Sequence, residues 1–127
     1  MNKRILVIDD DLAIRKSCKL ALEDIGYKVD TAESGEAGIS MASGTEYDLI
    51  LLDLKMPGIN GVETLIRLRD NGYKRPIYII TAFHEEFTDQ LRVATDKGYE
   101  FEVMQKPMEN RDLTNITKAV LDGVGTY

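Results

Sequence analysis

The residues that could do chemistry lie at the ends of apolar runs. Asp9, Asp10 and Asp11 follow one run directly, Asp53 closes another, Thr81 and Ala82 close a third, and Lys106-Pro107 closes a fourth. Taken singly, an aspartate after a strand is most often a helix N-cap, because its carboxylate satisfies unpaired N–H groups of the first turn. Asp11 reads that way. Several carboxylates brought to one place are another matter. At ~4–5 Å and an effective dielectric near ~20, each like-charged pair costs roughly 3–4 kcal/mol. Such a cluster needs a cation, or its members must hold protons above their ordinary range. Oxygen donors without histidine or cysteine beside them suit a hard divalent ion, Mg2+ before Mn2+.

A metal-bound pocket with a carboxylate, a hydroxyl and an ammonium can transfer a phosphoryl group. The carboxylate attacks phosphorus and gives an acyl phosphate. A cation and an ammonium neutralise the equatorial oxygens, and a hydroxyl hydrogen-bonds one of them. Asp53, alone at the end of its run, suits the nucleophile. Asp9 and Asp10, being adjacent, suit the metal, with the backbone carbonyl of Lys55 placed to complete its shell. Thr81 supplies the hydroxyl and Lys106 the ammonium.

The elements that must position these groups alternate. Arg4–Ile8, Tyr47–Leu52 and Pro76–Ile80 are short continuous apolar runs, as expected of strands covered on both faces of a parallel sheet. Tyr27–Ala32 and Phe101–Gln105 are more polar strands, suited to the sheet edges. Between them lie helical stripes. Ile14, Cys18, Ala21, Leu22 and Ile25 form the first, ending at Gly26. Gly35–Ala42 is shorter, and Val62, Leu65, Ile66 and Leu68 run on toward Asn71-Gly72. Glu85–Lys97 has only Phe87, Leu91 and Ala94 as an apolar face, and Leu113, Ile116, Val120 and Leu121 close the series. Five β-α units predict a right-handed, doubly wound α/β sheet, whose ligands bind outside the carboxyl ends of the strands.

Composition bounds the function. The chain has 127 residues, 43% apolar and 30% charged, with 22 acids against 16 bases and a net charge of −6. One domain is expected. The acidic balance argues against direct binding of nucleic acid or an anionic membrane, both of which need a basic face. The lone Cys18 suits a reducing compartment and a small core residue. No run approaches the ~18 apolar residues of a membrane span, so a soluble, cytoplasmic protein is expected.

The order Ile-Leu-Val-Ile-Asp9-Asp10-Asp11, Leu-Leu-Asp53-Leu-Lys-Met-Pro-Gly-Ile-Asn-Gly61, Ile-Ile-Thr81-Ala82 and Lys106-Pro107 resembles the receiver domain of two-component response regulators, from about Lys3 to Leu121. The resemblance implies a five-stranded flavodoxin-like (βα)5 fold with sheet order 2-1-3-4-5, the receiver filling residues 1–122, and residues 123–127 a tail with no output domain. It implies Asp53 as phospho-acceptor, with a histidine kinase or histidine phosphotransfer protein as donor. Asp9, Asp10, Asp53 and the Lys55 carbonyl would hold Mg2+, Thr81 would be the switch hydroxyl, and Lys106 the phosphate contact, its bond to Pro107 cis. The face formed by the fourth helix, fifth strand and fifth helix would meet a downstream protein target or an output domain, or form a phosphorylation-dependent dimer. The donor would dock around Leu12, Ala13 and the loop after Lys106.

Some positions depart from the family pattern. Receivers commonly carry an aromatic residue three before the lysine; here it is Val103, and Gly98–Lys106 is one residue longer than usual. Phe101 shares strand parity with Val103 and is the candidate substitute, so a weakened Thr81–aromatic coupling is expected. Lys55, Ala82 and Phe83 flank the pocket mouth and should modulate phosphoryl lifetime. The long cation and the ring would hinder an in-line water and slow self-dephosphorylation. His84 reads as a solvated loop residue, Met56 and Met108 as local packing, and Glu85, Glu86 and Asp89 as acids of a first helical turn. The rivals are a Mg2+-dependent phosphatase with an aspartyl nucleophile and a receiver-like interaction module that takes no phosphate. The first usually places an acid where Lys55 stands. The second would have lost Asp53, Asp10 or Lys106.

Overall fold

The computed structural model describes residues 3–82, 84–106 and 109–123. Along the chain run β1 (Arg4–Ile8), α1 (Leu12–Asp24), β2 (Lys28–Ala32), α2 (Gly35–Gly44), β3 (Leu49–Leu52), α3 (Gly61–Asp70) and β4 (Ile77–Thr81). A 3₁₀ turn (His84–Phe87), α4 (Thr88–Asp96), β5 (Glu102–Gln105) and α5 (Asn110–Asp122) follow. The strands form one parallel sheet in the order β2-β1-β3-β4-β5.

Strand composition follows position. Every residue of β3, and β1 from Ile5 onward, is buried, because helices cover both faces of the central strands. Alternate residues serve two cores. Leu6 and Ile8 join Ile50, Leu52, Ile77 and Ile79 under α2, α3 and α4. Ile5 and Val7 join Leu49, Leu51, Leu22 and Leu113 under α1 and α5. The polar β2 and β5 are the edges, as their composition predicts.

The helices begin where capping residues stand. Asp11 accepts hydrogen bonds from the N–H groups of Ala13 and Ile14 at 2.8 and 3.3 Å, so it is the N-cap of α1 as read from the sequence. Ser34 caps α2 and Asn60 caps α3. The α2 helix continues to Gly44, beyond the expected Ala42. The fourth helix differs more. Glu85 and Glu86 stand in the 3₁₀ turn, and α4 starts only at Thr88, with Phe87 at the cap position and no side-chain cap bond. Among the described residues no side chain caps its first turn as Asp11 does at α1. Phe87, Leu91 and Ala94 are its buried residues and anchor, as expected.

The far end of the sheet is tied down by Arg69. Its guanidinium donates to the Glu100 carbonyl at 3.1 and 2.7 Å, and to the carbonyls of Tyr73 and Arg75 at 2.9 and 2.7 Å. The Tyr99 hydroxyl donates to Asp70 at 2.8 Å. Phe101 packs against the larger core just before β5 begins, rather than within the strand, and Val103 pairs with Ile79 while remaining 37% exposed.

One glycine is fixed by close approach. A Cβ at Gly61 would stand 2.4 Å from the Asp53 carbonyl oxygen and 2.7 Å from the Leu54 Cα, both backbone atoms that cannot swing away. Gly44, at the end of α2, has nothing within 4 Å. In urea denaturation Gly61→Ala should lose about 1–3 kcal/mol from overpacking. Gly44→Ala should gain about 0.4–1 kcal/mol by restricting the unfolded chain. Equal effects at the two positions would refute this account of the loop after β3.

Candidate functional site

The parallel ladder runs one residue past the strands, and this places the charged groups. The Asp9 N–H donates to the Ala32 carbonyl at 3.1 Å, the Asp53 N–H to Ile8 at 3.0 Å, and the Lys106 N–H to Thr81 at 3.0 Å. Asp9, Asp53 and Lys106 therefore leave the sheet at one level, each held by a backbone bond to the neighbouring strand.

The side chains converge. The Lys106 ammonium lies 3.2 Å from Asp9 Oδ2 and 3.6 Å from Asp53 Oδ1. Asp9 Oδ1 accepts the Asp11 N–H at 2.9 Å, and the Asp9 carbonyl accepts Arg15 Nη1 at 2.7 Å. Carboxylate oxygens of Asp9, Asp10 and Asp53 lie within 4.8 Å of one another. Asp9 and Asp53 are buried, Asp10 is exposed, and Thr81 is fully buried at the end of β4 with Ala82 exposed beside it. Leu54 and Met56 are buried and pin the loop after Asp53.

Electrostatics follow from this crowding. Burial and the neighbouring Asp9 charge push the Asp53 carboxyl up from 3.8 to about 6. Lys106 and the Leu54 N–H pull the other way, and Asp10 adds to the rise. One ammonium against three carboxylates leaves two negative charges to be balanced. The donors are all hard oxygens, so the cluster fits a divalent cation by charge and by donor type. Cys18 lies nearby on α1, its thiol pushed up to about 11 by burial and by Asp9. It packs against the smaller core as a neutral residue.

Some sequence expectations are not brought into this cluster. The Lys55 ammonium lies 3.2 Å from Glu86 Oε1, and Asn60 Nδ2 donates to Gln90 Oε1 at 3.2 Å. Glu86, read from the sequence as a first-turn acid, is thus a partner of the loop that carries Asp53. Thirty-one residues separate Lys55 from Glu86, and no local pattern announces such a pair. Arg15 was likewise invisible, its target being a backbone carbonyl. Phe83, Pro107 and Met108 lie outside the described residues, as does the Lys106–Pro107 bond.

Residues 5–118 match the model of the response regulator receiver domain. The chain is a response regulator receiver domain. It is 37% identical over 121 residues to the alkaline phosphatase synthesis transcriptional regulatory protein PhoP of Bacillus subtilis, covering 95% of this receiver and 49% of that protein. It is 34% identical over 118 residues to the cell cycle transcriptional regulator CtrA of Caulobacter vibrioides, covering 93% and 50%. The receiver thus spans about half the length of the curated relatives it matches. A CheY-like receiver domain protein from Methanospirillum hungatei JF-1 superposes with a TM-score of 0.86 at 29% identity, covering 97% of this chain and 96% of that one. The response regulator TrrA of Thermotoga maritima, solved in complex with Mg(2+)-BeF, does so at 0.79 with 35% identity, covering 94% and 99%. Phosphorylation on an aspartate is the general function of such domains. Among the described residues no helix is long and apolar enough to cross a membrane.

The raised Asp53 carboxyl has a stability consequence. The folded chain holds this proton more tightly than the unfolded chain. Stability is therefore fully present below pH ~4 and lost as pH rises through about 6. With a chelator present at pH 7.5, Asp53→Asn should be more stable than the wild type by about 1–3 kcal/mol. The gain should vanish at pH 4. A gain that is the same at both pH values, or no gain, would show that the ionised carboxylate is not strained.

Proposed function

We propose that Asp53 is the phospho-acceptor, taking its phosphoryl group from the phosphohistidine of a histidine kinase or phosphotransfer protein in the cytoplasm. The observation that carries this reading is the meeting of buried Asp53, Asp9 and the Lys106 ammonium in one row. A carboxylate oxygen of Asp53 attacks phosphorus. The oxygen–phosphorus bond forms as the donor's nitrogen–phosphorus bond breaks, and the imidazole leaves. Lys106, already within reach of Asp53, holds a phosphoryl oxygen, and Thr81 donates its hydroxyl to another. Asp9 orients Lys106, and Asp9 is itself fixed by the Asp11 N–H.

Asp9, Asp10, Asp53 and the Lys55 carbonyl would hold Mg2+, or Mn2+ in its place. The ion, when bound, supplies positive charge to the phosphoryl oxygens. Its fit is supported by the oxygen-only donors and by the excess negative charge. A relative, TrrA, has been solved in complex with Mg(2+)-BeF.

Hydrolysis returns the site to its starting state: water attacks phosphorus, the carboxyl oxygen–phosphorus bond breaks, and inorganic phosphate leaves the regenerated carboxylate. Lys55, two residues beyond Asp53, makes this step slow, whereas exposed Ala82 leaves room for the donor. The α4-β5-α5 face carries the signal to a protein target, to a further domain or to a second receiver. Val103 offers no ring to follow Thr81, so the aromatic half of the switch is weak here.

Incubation with Mg2+ and acetyl phosphate, followed by intact mass measurement, tests the reading. A single phosphoryl adduct is expected, lost in Asp53→Asn and on chelation of the metal. Multiple turnover of the donor would favour a phosphatase instead, and an unmodified mass would favour a module that takes no phosphate.

A further inference from the structure

Two side-chain bridges join the loop after Asp53 to the start of the fourth helix. Lys55 reaches Glu86 in the 3₁₀ turn, and Asn60, fixed by capping α3, reaches Gln90 in the first turn of α4. Among the described residues no side chain caps α4, and Phe87, Leu91 and Ala94 are its buried contacts. Position 86 is thus bound to the site by charge, and position 90 by a neutral hydrogen bond.

The charged bridge lies two residues from Asp53. At most about 7 Å of backbone separates the Cα atoms of residues 53 and 55, within the sweep of a lysine's four-carbon stem and its point-charge ammonium. Both partners of the pair are about half exposed, and a pair in that setting is weak enough to exchange. A phosphoryl group on Asp53 would carry nearly two negative charges against the one of Glu86.

We infer that Glu86 is a positioning residue for the phosphoryl site. In the unmodified receiver it holds the Lys55 ammonium toward the 3₁₀ turn. When Asp53 carries phosphate, Lys55 exchanges Glu86 for a phosphoryl oxygen, and the turn loses its charged tether while Asn60–Gln90 keeps the first turn of α4 in place. This rests on Asp53 being the acceptor. Glu86 then has two effects from one contact. It competes with the phosphoryl group for Lys55, shortening the adduct's life, and it reports the modification to the start of α4.

The test uses the full chain with Mg2+ and acetyl phosphate, in wild type, Glu86→Gln, Lys55→Gln and the double variant. Intact mass follows the adduct after removal of the donor. Glu86→Gln should lengthen its half-life about two- to five-fold, the range open to an exposed pair. Lys55→Gln should shorten it, and the double variant should match Lys55→Gln alone, since Glu86 acts through Lys55. Amide hydrogen exchange of residues 85–89 should rise in unmodified Glu86→Gln, and in the wild type only on phosphorylation. A Glu86→Gln half-life equal to that of the wild type would overturn the inference, and so would a lengthening that persists without Lys55. Absence of any wild-type adduct would instead remove the acceptor reading, and this inference with it.

Discussion

The contact among Lys106, Asp9 and Asp53 is the interaction to which the rest of the molecule is fitted. Opposing charges at 3.2 and 3.6 Å in a buried setting attract strongly, and two carboxylates sharing one ammonium repel. Neither carboxylate can relax, because each leaves the sheet from a backbone hydrogen bond to the adjacent strand. The central strands that hold them are buried on both faces and cannot shift without opening two cores. The fold therefore keeps negative charge where water is scarce, and the raised Asp53 carboxyl reflects it. In a domain whose general function is phosphorylation on an aspartate, a carboxylate held in that state is already short of solvation.

Much of this was legible in the residues. The continuous apolar runs marked β1, β3 and β4 because burial on both faces removes the need for alternation. The polarity of β2 and β5 marked the edges for the converse reason. Asp11 declared itself as a cap, and the thin stripe of Phe87, Leu91 and Ala94 foretold a lightly anchored helix. The meeting of Asp9, Asp53 and Lys106 was legible in what each run delivers at its end. The strand order came from the family resemblance, since patterning does not rank neighbours.

Other features were not legible, for physical reasons. The acids of the 3₁₀ turn look like a helical first turn because composition there favours helix, yet the absence of a cap delays α4 to Thr88. Phe101 and Val103 share parity, but only the start of β5 at Glu102 decides that the ring enters the core from outside the strand. The Lys55–Glu86 and Arg69–Glu100 contacts join residues that only the folded topology makes neighbours. Contacts of that kind have no spacing to read.

The Arg69 clamp makes the two ends of α4 unlike. Two bonds to the Glu100 carbonyl fasten the loop leading into β5, just beyond α4, to the end of α3, and two more to the Tyr73 and Arg75 carbonyls hold the loop after α3. The other end of α4 rests on surface bridges and an uncapped turn. A helix of nine residues is a rigid rod ~13 Å long. Its two ends are therefore held by different means, the last turn beside the main-chain bonds made by Arg69 and the first by buried Phe87 and the Asn60–Gln90 bond. A change of charge at Lys55 or Glu86 would be felt at the 3₁₀ turn and not at the last turn of α4.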